Sequence, residues 1–182
     1  MRTHLPDHSP GTPAASGGGD GLLVVYHSHT GGTLQMAQAL ADAARAAEPQ
    51  LCVRLRHASD AGADDLLAVQ ACVFATPENL GAISGLMKDF LDRTYYPVLD
   101  RINGRAYASL ICAGSDGTGA ARQIQRIATG WRLKPVAEPL IVCTHAQTPE
   151  QILAPKQVAE ADLQRCRDLG AALATGLVLG IY

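Results

Sequence analysis

Beyond residue 20 the chain alternates between short, unbroken apolar runs and longer stretches where apolar residues recur with helical spacing. The run Leu22–Tyr26 is continuous and rich in branched side chains, the pattern of a strand covered on both faces. In residues 33–47, Leu34, Ala37, Leu40, Ala41 and Ala44 fall on one helical face, and Glu48-Pro49 ends that helix. "LCVRLRH" (51–57) predicts a second strand, residues 64–69 a short helix, and "ACVFAT" (71–76) a third strand. Residues 82–94 predict an amphipathic helix. Ile83, Leu86, Met87, Phe90 and Leu91 share its apolar face, and Lys88, Asp89, Asp92 and Arg93 lie away from it. "RAYASLICA" (105–113) predicts a fourth strand, followed by a helix over 120–129 with Gly130 as its C-cap. A last strand, 133–144, is interrupted by Pro135 and Pro139. Pro155 then opens a long alanine-rich helix that ends near Thr175-Gly176.

Five strands alternating with helices predict an α/β domain with a parallel sheet between two helical layers. The length of 182 residues suits one such domain, and 47% hydrophobic residues suffice for its core. Aromatics are only 4%, so that core is built from Val, Leu, Ile and Ala. Residues 1–20 are rich in Pro, Gly and Ser and lack an apolar signal-peptide core; they read as a flexible tail ahead of a domain at 21–182. A net charge of −2 without like-charge runs argues against nucleic-acid binding through a basic face and against a polybasic membrane surface. No apolar run is long enough for a transmembrane helix. The five cysteines, Cys52, Cys72, Cys112, Cys143 and Cys166, follow no metal-ligand or disulfide spacing and read as reduced core thiols in a cytoplasmic protein.

In a sheet of this kind ligands gather beyond the carboxyl ends of the strands. The loops after the first, third and fourth strands are the ones to inspect. The first is "HSHTGGT" (27–33). It combines the hydroxyls of Ser28, Thr30 and Thr33 with Gly31 and Gly32 at a helix start, where free N–H groups and the helix dipole favour an anion. It carries no lysine or arginine, so it is no Walker A loop, and it lacks dinucleotide-type glycine spacing. A phosphate monoester held by neutral donors fits it.

The pattern Ser28-x-Thr30-Gly31-x-Thr33, with His29 and Gly32 at the variable positions, resembles the FMN phosphate loop of flavodoxins and flavodoxin-like reductases. The second loop, "TPENLGAISG" (76–85), has a proline exit from its strand, and its Asn79 and Gly81 tolerate unusual backbone angles. With the following "LMKDFLDRTYYP" it is similar to the corresponding stretch of NAD(P)H-dependent FMN and quinone reductases. The resemblance covers essentially all of residues 21–182. It implies a three-layer flavodoxin-like fold with strand order 2-1-3-4-5. It further implies FMN with its phosphate on Ser28–Thr33 and its ring against Pro77, Glu78, Asn79, Leu80 and Gly81. The third loop, "AGSDGTGA" (113–120), would border the other side of the ring through Ala113, Gly114, Ser115, Asp116, Gly117 and Gly119. An N-cap role for Asp116 is an equal alternative.

Electron-carrier flavodoxins sandwich the ring between aromatic side chains and are strongly acidic. Here neither ring loop contains an aromatic residue and the charge is nearly balanced. The resemblance therefore implies a reductase that takes electrons from NADH or NADPH and passes them to a quinone, a flavin or a similar small acceptor. A non-enzymatic carrier is the main alternative and a flavin-free domain a further one; self-association stays open. No side-chain acid or base is expected, because the chemistry belongs to the cofactor. Tyr95, Tyr96 and Trp131 are expected to pack, and His27 to act as a local hydrogen-bonding partner. Arg122 and Arg126 are expected to face solvent, and His57 and His145 carry no partner pattern.

Overall fold

Leu22, Leu23, Val24 and Val25 are all fully buried, without alternation, because helices cover the sheet on both sides. The computed structural model describes residues 21–182. The expected tail, 1–20, lies outside the described residues. The elements are β1 (Gly21–Tyr26), α1 (Gly32–Ala47), β2 (Cys52–His57), α2 (Ala63–Leu67), β3 (Ala71–Asn79), β4 (Ala82–Ile83) and α3 (Gly85–Val98). There follow β5 (Ala106–Ala113), α4 (Thr118–Gly130), β6 (Lys134–Pro135), β7 (Leu140–Cys143), α5 (Pro149–Leu153) and α6 (Glu160–Val178).

β1 lies between β2 and β3, parallel to both, with Val24 opposite Leu55 and Val73. β3 continues the parallel sheet to β5, and β5 pairs with both β6 and β7. The expected fifth strand is thus two pieces on one edge, parted by a stretch ending in Pro139, and the order is 2-1-3-4-5 with those pieces counted together. Neither Pro135 nor Pro139 has an N–H to donate, which an edge strand tolerates. The chain moves outward from β1 to β2 and then crosses back to β3, so a crevice opens at their carboxyl ends.

Successive strand residues serve opposite layers. Leu22, Val24, Val73 and Leu110 pack with Met36 and Leu40 of α1 and Leu173 of α6. Leu23, Val25, Phe74 and Ile111 pack with Met87 and Phe90 of α3, Ile124 of α4, and Trp131. The few aromatics concentrate there: the Phe74 ring lies 6.1 Å from Trp131 and 6.3 Å from Tyr107.

Several expectations shift. The third helix begins at Gly85, because Ala82–Ile83 pair with the end of β3, and it runs on to Val98 through a buried Phe90–Thr94–Val98 stripe. Leu34 and Leu86, expected on core faces, sit exposed in the opening turns of their helices. Gly130 is the last residue of α4 and not its cap; buried Trp131 caps the helix and Arg132 takes the positive φ of 57°. Pro155 does not open the long helix, which starts at Glu160. Residues 154–159 are held outside any helix, their backbone bonding to Thr30 and Gln35. All five cysteines are free, but only Cys72, Cys112 and Cys166 are core thiols; Cys52 is exposed on the edge strand β2 and Cys143 is half-buried.

Candidate functional site

A cavity of about 750 Å³ lies at the carboxyl ends of β1, β3, β5 and β7. The loop after β1 forms one wall. His27 still belongs to the sheet through its N–H, which donates to the Ala75 carbonyl at 3.0 Å. The chain then turns sharply: Gly31 adopts φ 87° as N-cap of α1, and its N–H donates to Ser28 Oγ at 3.1 Å. Ser28, His29, Thr30, Gly32 and Thr33 line the cavity, whereas Gly31 shapes the loop without lining it. The N–H groups of Gly32, Thr33 and Leu34, in the first turn of α1, have no intrahelical acceptor. A Cβ at Gly32 would stand 2.7 Å from Cys112 Sγ, so a side chain there would crowd the wall.

The loop after β3 is a hairpin. Pro77, Glu78 and Asn79 extend the strand, and the chain turns at Leu80 (φ 52°) and Gly81 (φ 72°). It returns with Ile83 opposite Glu78 and Ala82 opposite Asn79. Two successive positive φ angles mark the tight hairpin turn that favours Asn-Gly. The unusual angle expected at Asn79 therefore falls on Leu80, a residue for which it costs about 1 kcal/mol. Leu80 is fully exposed at this tip.

Glu78 lines the cavity, yet its carboxylate is engaged elsewhere. It accepts the N–H of Gly117 at 2.8 Å and that of Ala120 at 3.1 Å, capping α4 from 39 residues away. Gly117 (φ 86°) is the N-cap of α4, and Asp116 instead accepts the Thr118 hydroxyl at 2.6 Å, so the N-cap alternative for Asp116 does not hold. At Gly119 a Cβ would fall 2.1 Å from the Gly81 carbonyl oxygen, because the hairpin tip rests on the start of α4. Ala113, Gly114 and Ser115 line the cavity, while Asp116, Gly117 and Gly119 stand behind it.

His27 joins the two loops from below. Its Nδ1 meets Ser84 Oγ at 2.8 Å, and Ser84 Oγ lies 3.1 Å from Thr76 Oγ1. The ring is 5% exposed, 4.5 Å from His29 and 5.6 Å from His57. Burial, and then the charges of His29 and His57, push its pKa down to about 4, so it is neutral at physiological pH. It is a hydrogen-bonding partner, as expected. Burial likewise raises the Cys112 thiol, against a hydrogen bond with Thr33 that lowers it.

The remaining wall was not legible in the sequence: Cys112, Thr144, Ala146, Ile152, Leu153 and Lys156. Thr148 and Gln151 form a capping box that starts α5, a signal that "TPEQ" (148–151) carries in plain view. Lys156 places a cation next to a loop that has no lysine or arginine. Its Nζ donates to the carbonyls of Gln151, Ile152 and Ala154 at 2.5–2.9 Å, closing the end of α5, and its N–H donates to Thr30 O at 2.7 Å. Trp131 packs in the core, Tyr96 is exposed, and Arg122 and Arg126 face solvent. Among the described residues no group of His, Cys, Asp or Glu is arranged to hold a metal. No helix there is long and apolar enough to cross a membrane.

Residues 24–133, which include all three loops, match the family model for flavodoxin. The chain is 33% identical over 98 residues to a flavodoxin of Aquifex aeolicus, covering 54% of this chain and 52% of that protein. It is 35% identical over 92 residues to an NAD(P)H dehydrogenase (quinone) of Acidithiobacillus ferrooxidans, covering 40% of this chain and 46% of that protein. The chain thus spans about half the length of the curated relatives it matches. An archaeal flavodoxin structure superposes with a TM-score of 0.70 at 21% identity, covering 86% of this chain and 98% of that one. The flavodoxin, WrbA-like protein from Agrobacterium tumefaciens gives 0.69 at 21% identity, covering 88% and 98%. With the matched segment spanning the three loops that wall the cavity, the chain belongs to the flavodoxin family.

Proposed function

We propose that this protein binds FMN in the cavity and uses it to carry electrons from NADH or NADPH to a quinone or similar small acceptor. The residues fit the cofactor. The first turn of α1 and the hydroxyls of Ser28, Thr30 and Thr33 would hold the phosphate, and the hairpin at 77–81 with Ala113–Ser115 would hold the ring. The bound flavin would supply hydride acceptance and onward electron transfer.

The chain's own residues would bind, orient and leave access. Glu78 keeps the hairpin and the start of α4 in fixed relation, and Gly119 lets them touch. His27, neutral and committed to Ser84, holds the two loops together and is not free to serve as an acid. The observation that carries the enzymatic reading is the wall itself: among the described residues it contains no Phe, Tyr or Trp. A ring without an aromatic cover leaves a face for a planar substrate, as hydride transfer requires close approach. A second reading rests on Leu80, Ile152 and Leu153, three exposed apolar side chains lining the cavity, which would suit docking of a redox protein and hence a carrier.

The purified chain reconstituted with FMN should show a flavin spectrum that anaerobic NADH or NADPH bleaches and a quinone restores. Reduction by a reductase protein but by neither nicotinamide would establish the carrier. A protein that takes up no FMN would refute both.

A further inference from the structure

Two cavity-lining side chains can carry positive charge, Lys156 and His29. Lys156 has its ammonium on three carbonyl oxygens of α5. His29 is exposed, sits in the middle of the 28–33 loop, and among the described residues makes no hydrogen bond or ion pair, only a ring contact with His27 at 4.5 Å. We propose that His29 is the titratable counter-charge of the phosphate, taking up a proton when the phosphate monoester settles on the loop. The inference rests on the FMN reading above and adds what makes the site prefer a phosphorylated flavin.

The surroundings permit that proton. A dianion near an imidazole favours its charged form. The ring in contact, His27, is kept neutral by burial and bonded to Ser84, so it brings no like charge. His57 meets the other histidines through the His27 ring, 5.6 Å away, and its Nδ1 shares a 2.7 Å hydrogen bond with Ser59, whose hydroxyl donates to Asp60. Arg93 is spent on the carbonyls of Ala58 and Ala61. The Glu78 carboxylate, which would compete with a phosphate for His29, is held by the N–H groups of α4. The Cys112 thiol is raised by burial and stays uncharged. Of these groups His29 alone stands on the 28–33 loop with its ring free of hydrogen bonds among the described residues. The bound state holds the extra proton, so affinity falls as pH rises above neutrality.

The test is calorimetric titration of the flavin-stripped full chain with FMN in buffers of different ionisation enthalpy. At about pH 7.5 the phosphate, with a second ionisation near 6, is already a dianion and contributes little proton release. FMN should bind with net proton uptake, riboflavin with none. FMN affinity should fall by up to about tenfold per pH unit above neutrality. His29→Gln should abolish the uptake and weaken FMN several-fold, leaving riboflavin unchanged. His29→Lys, a permanent charge, should restore FMN affinity without uptake. FMN binding without proton uptake, or uptake that persists in His29→Gln, would overturn the inference and leave the FMN reading standing. Absence of FMN binding would overturn that reading and the inference with it.

Discussion

The loop at 28–33 and the hairpin at 76–84 wall the same cavity but spend their polar groups differently. In the first, the opening turn of α1 leaves N–H groups without intrahelical acceptors, and His29 accepts and donates nothing among the described residues. In the second, Glu78 is fastened to α4, Thr76 to Ser84, and Glu78 and Asn79 pair with β4. One region leaves donors unengaged; the other uses its polar groups to hold neighbouring parts in place. A charged side chain lining a cavity is thus no guide to binding until its partners are counted.

Substitutions that treat both regions alike should separate them. The largest effect is expected at Gly119, one of two close-approach glycines at the cavity. Gly119→Ala drives a methyl into the fixed Gly81 carbonyl and should cost about 3 kcal/mol in denaturant melts. At Gly32→Ala the obstacle is the Cys112 thiol, so stability should fall by about 1 kcal/mol while FMN affinity falls more than tenfold. Equal stability losses would break the contrast.

His27, where the two regions meet, gives the next effect. Its folded pKa of about 4 lies below the ordinary histidine value near 6.5, so the folded state binds fewer protons than the unfolded one. The stability it contributes is full above about pH 6.5 and is lost as pH falls towards 4, on the order of 3 kcal/mol in all. His27→Gln should flatten that acid limb in thermal melts followed against pH; an unaltered limb would refute the assignment.

Glu78→Ala removes the cap and should cost about 2 kcal/mol, with Glu78→Gln in between. Thr30→Val, by contrast, should leave melting within about 0.5 kcal/mol and act on FMN affinity alone. An effect of opposite sign is expected at the hairpin tip, where Leu80→Asn relieves the positive φ and should stabilise the fold by about 1 kcal/mol.

The sheet order and the three loops were legible because their signals are local: unbroken apolar runs, glycines and hydroxyls at a helix start. Thirteen of the seventeen expected contact residues line the cavity, and the other four, Gly31, Asp116, Gly117 and Gly119, stand behind it as framework. What escaped depends on contacts between distant parts of the chain. The engagement of Glu78 with Gly117 and Ala120 leaves no mark near residue 78. Pro155 looked like a helix start because the bonds that keep 154–159 extended come from Thr30 and Gln35, more than a hundred residues away. Lys156 was overlooked for the same reason.

Gln35 ties the start of α1 to the segment that carries Lys156. Its amide donates to Lys156 O at 2.7 Å and accepts the N–H of Val158 at 3.2 Å, the way a neighbouring strand would. The 28–33 loop and α1 leave the ribosome early, whereas the segment that Gln35 receives is made more than a hundred residues later. During that interval the nascent chain carries the 28–33 loop with one side of the cavity missing. On the proposed function, cofactor loading would then be a late event in biosynthesis, coupled to arrival of the 150s rather than to folding of the 28–33 loop.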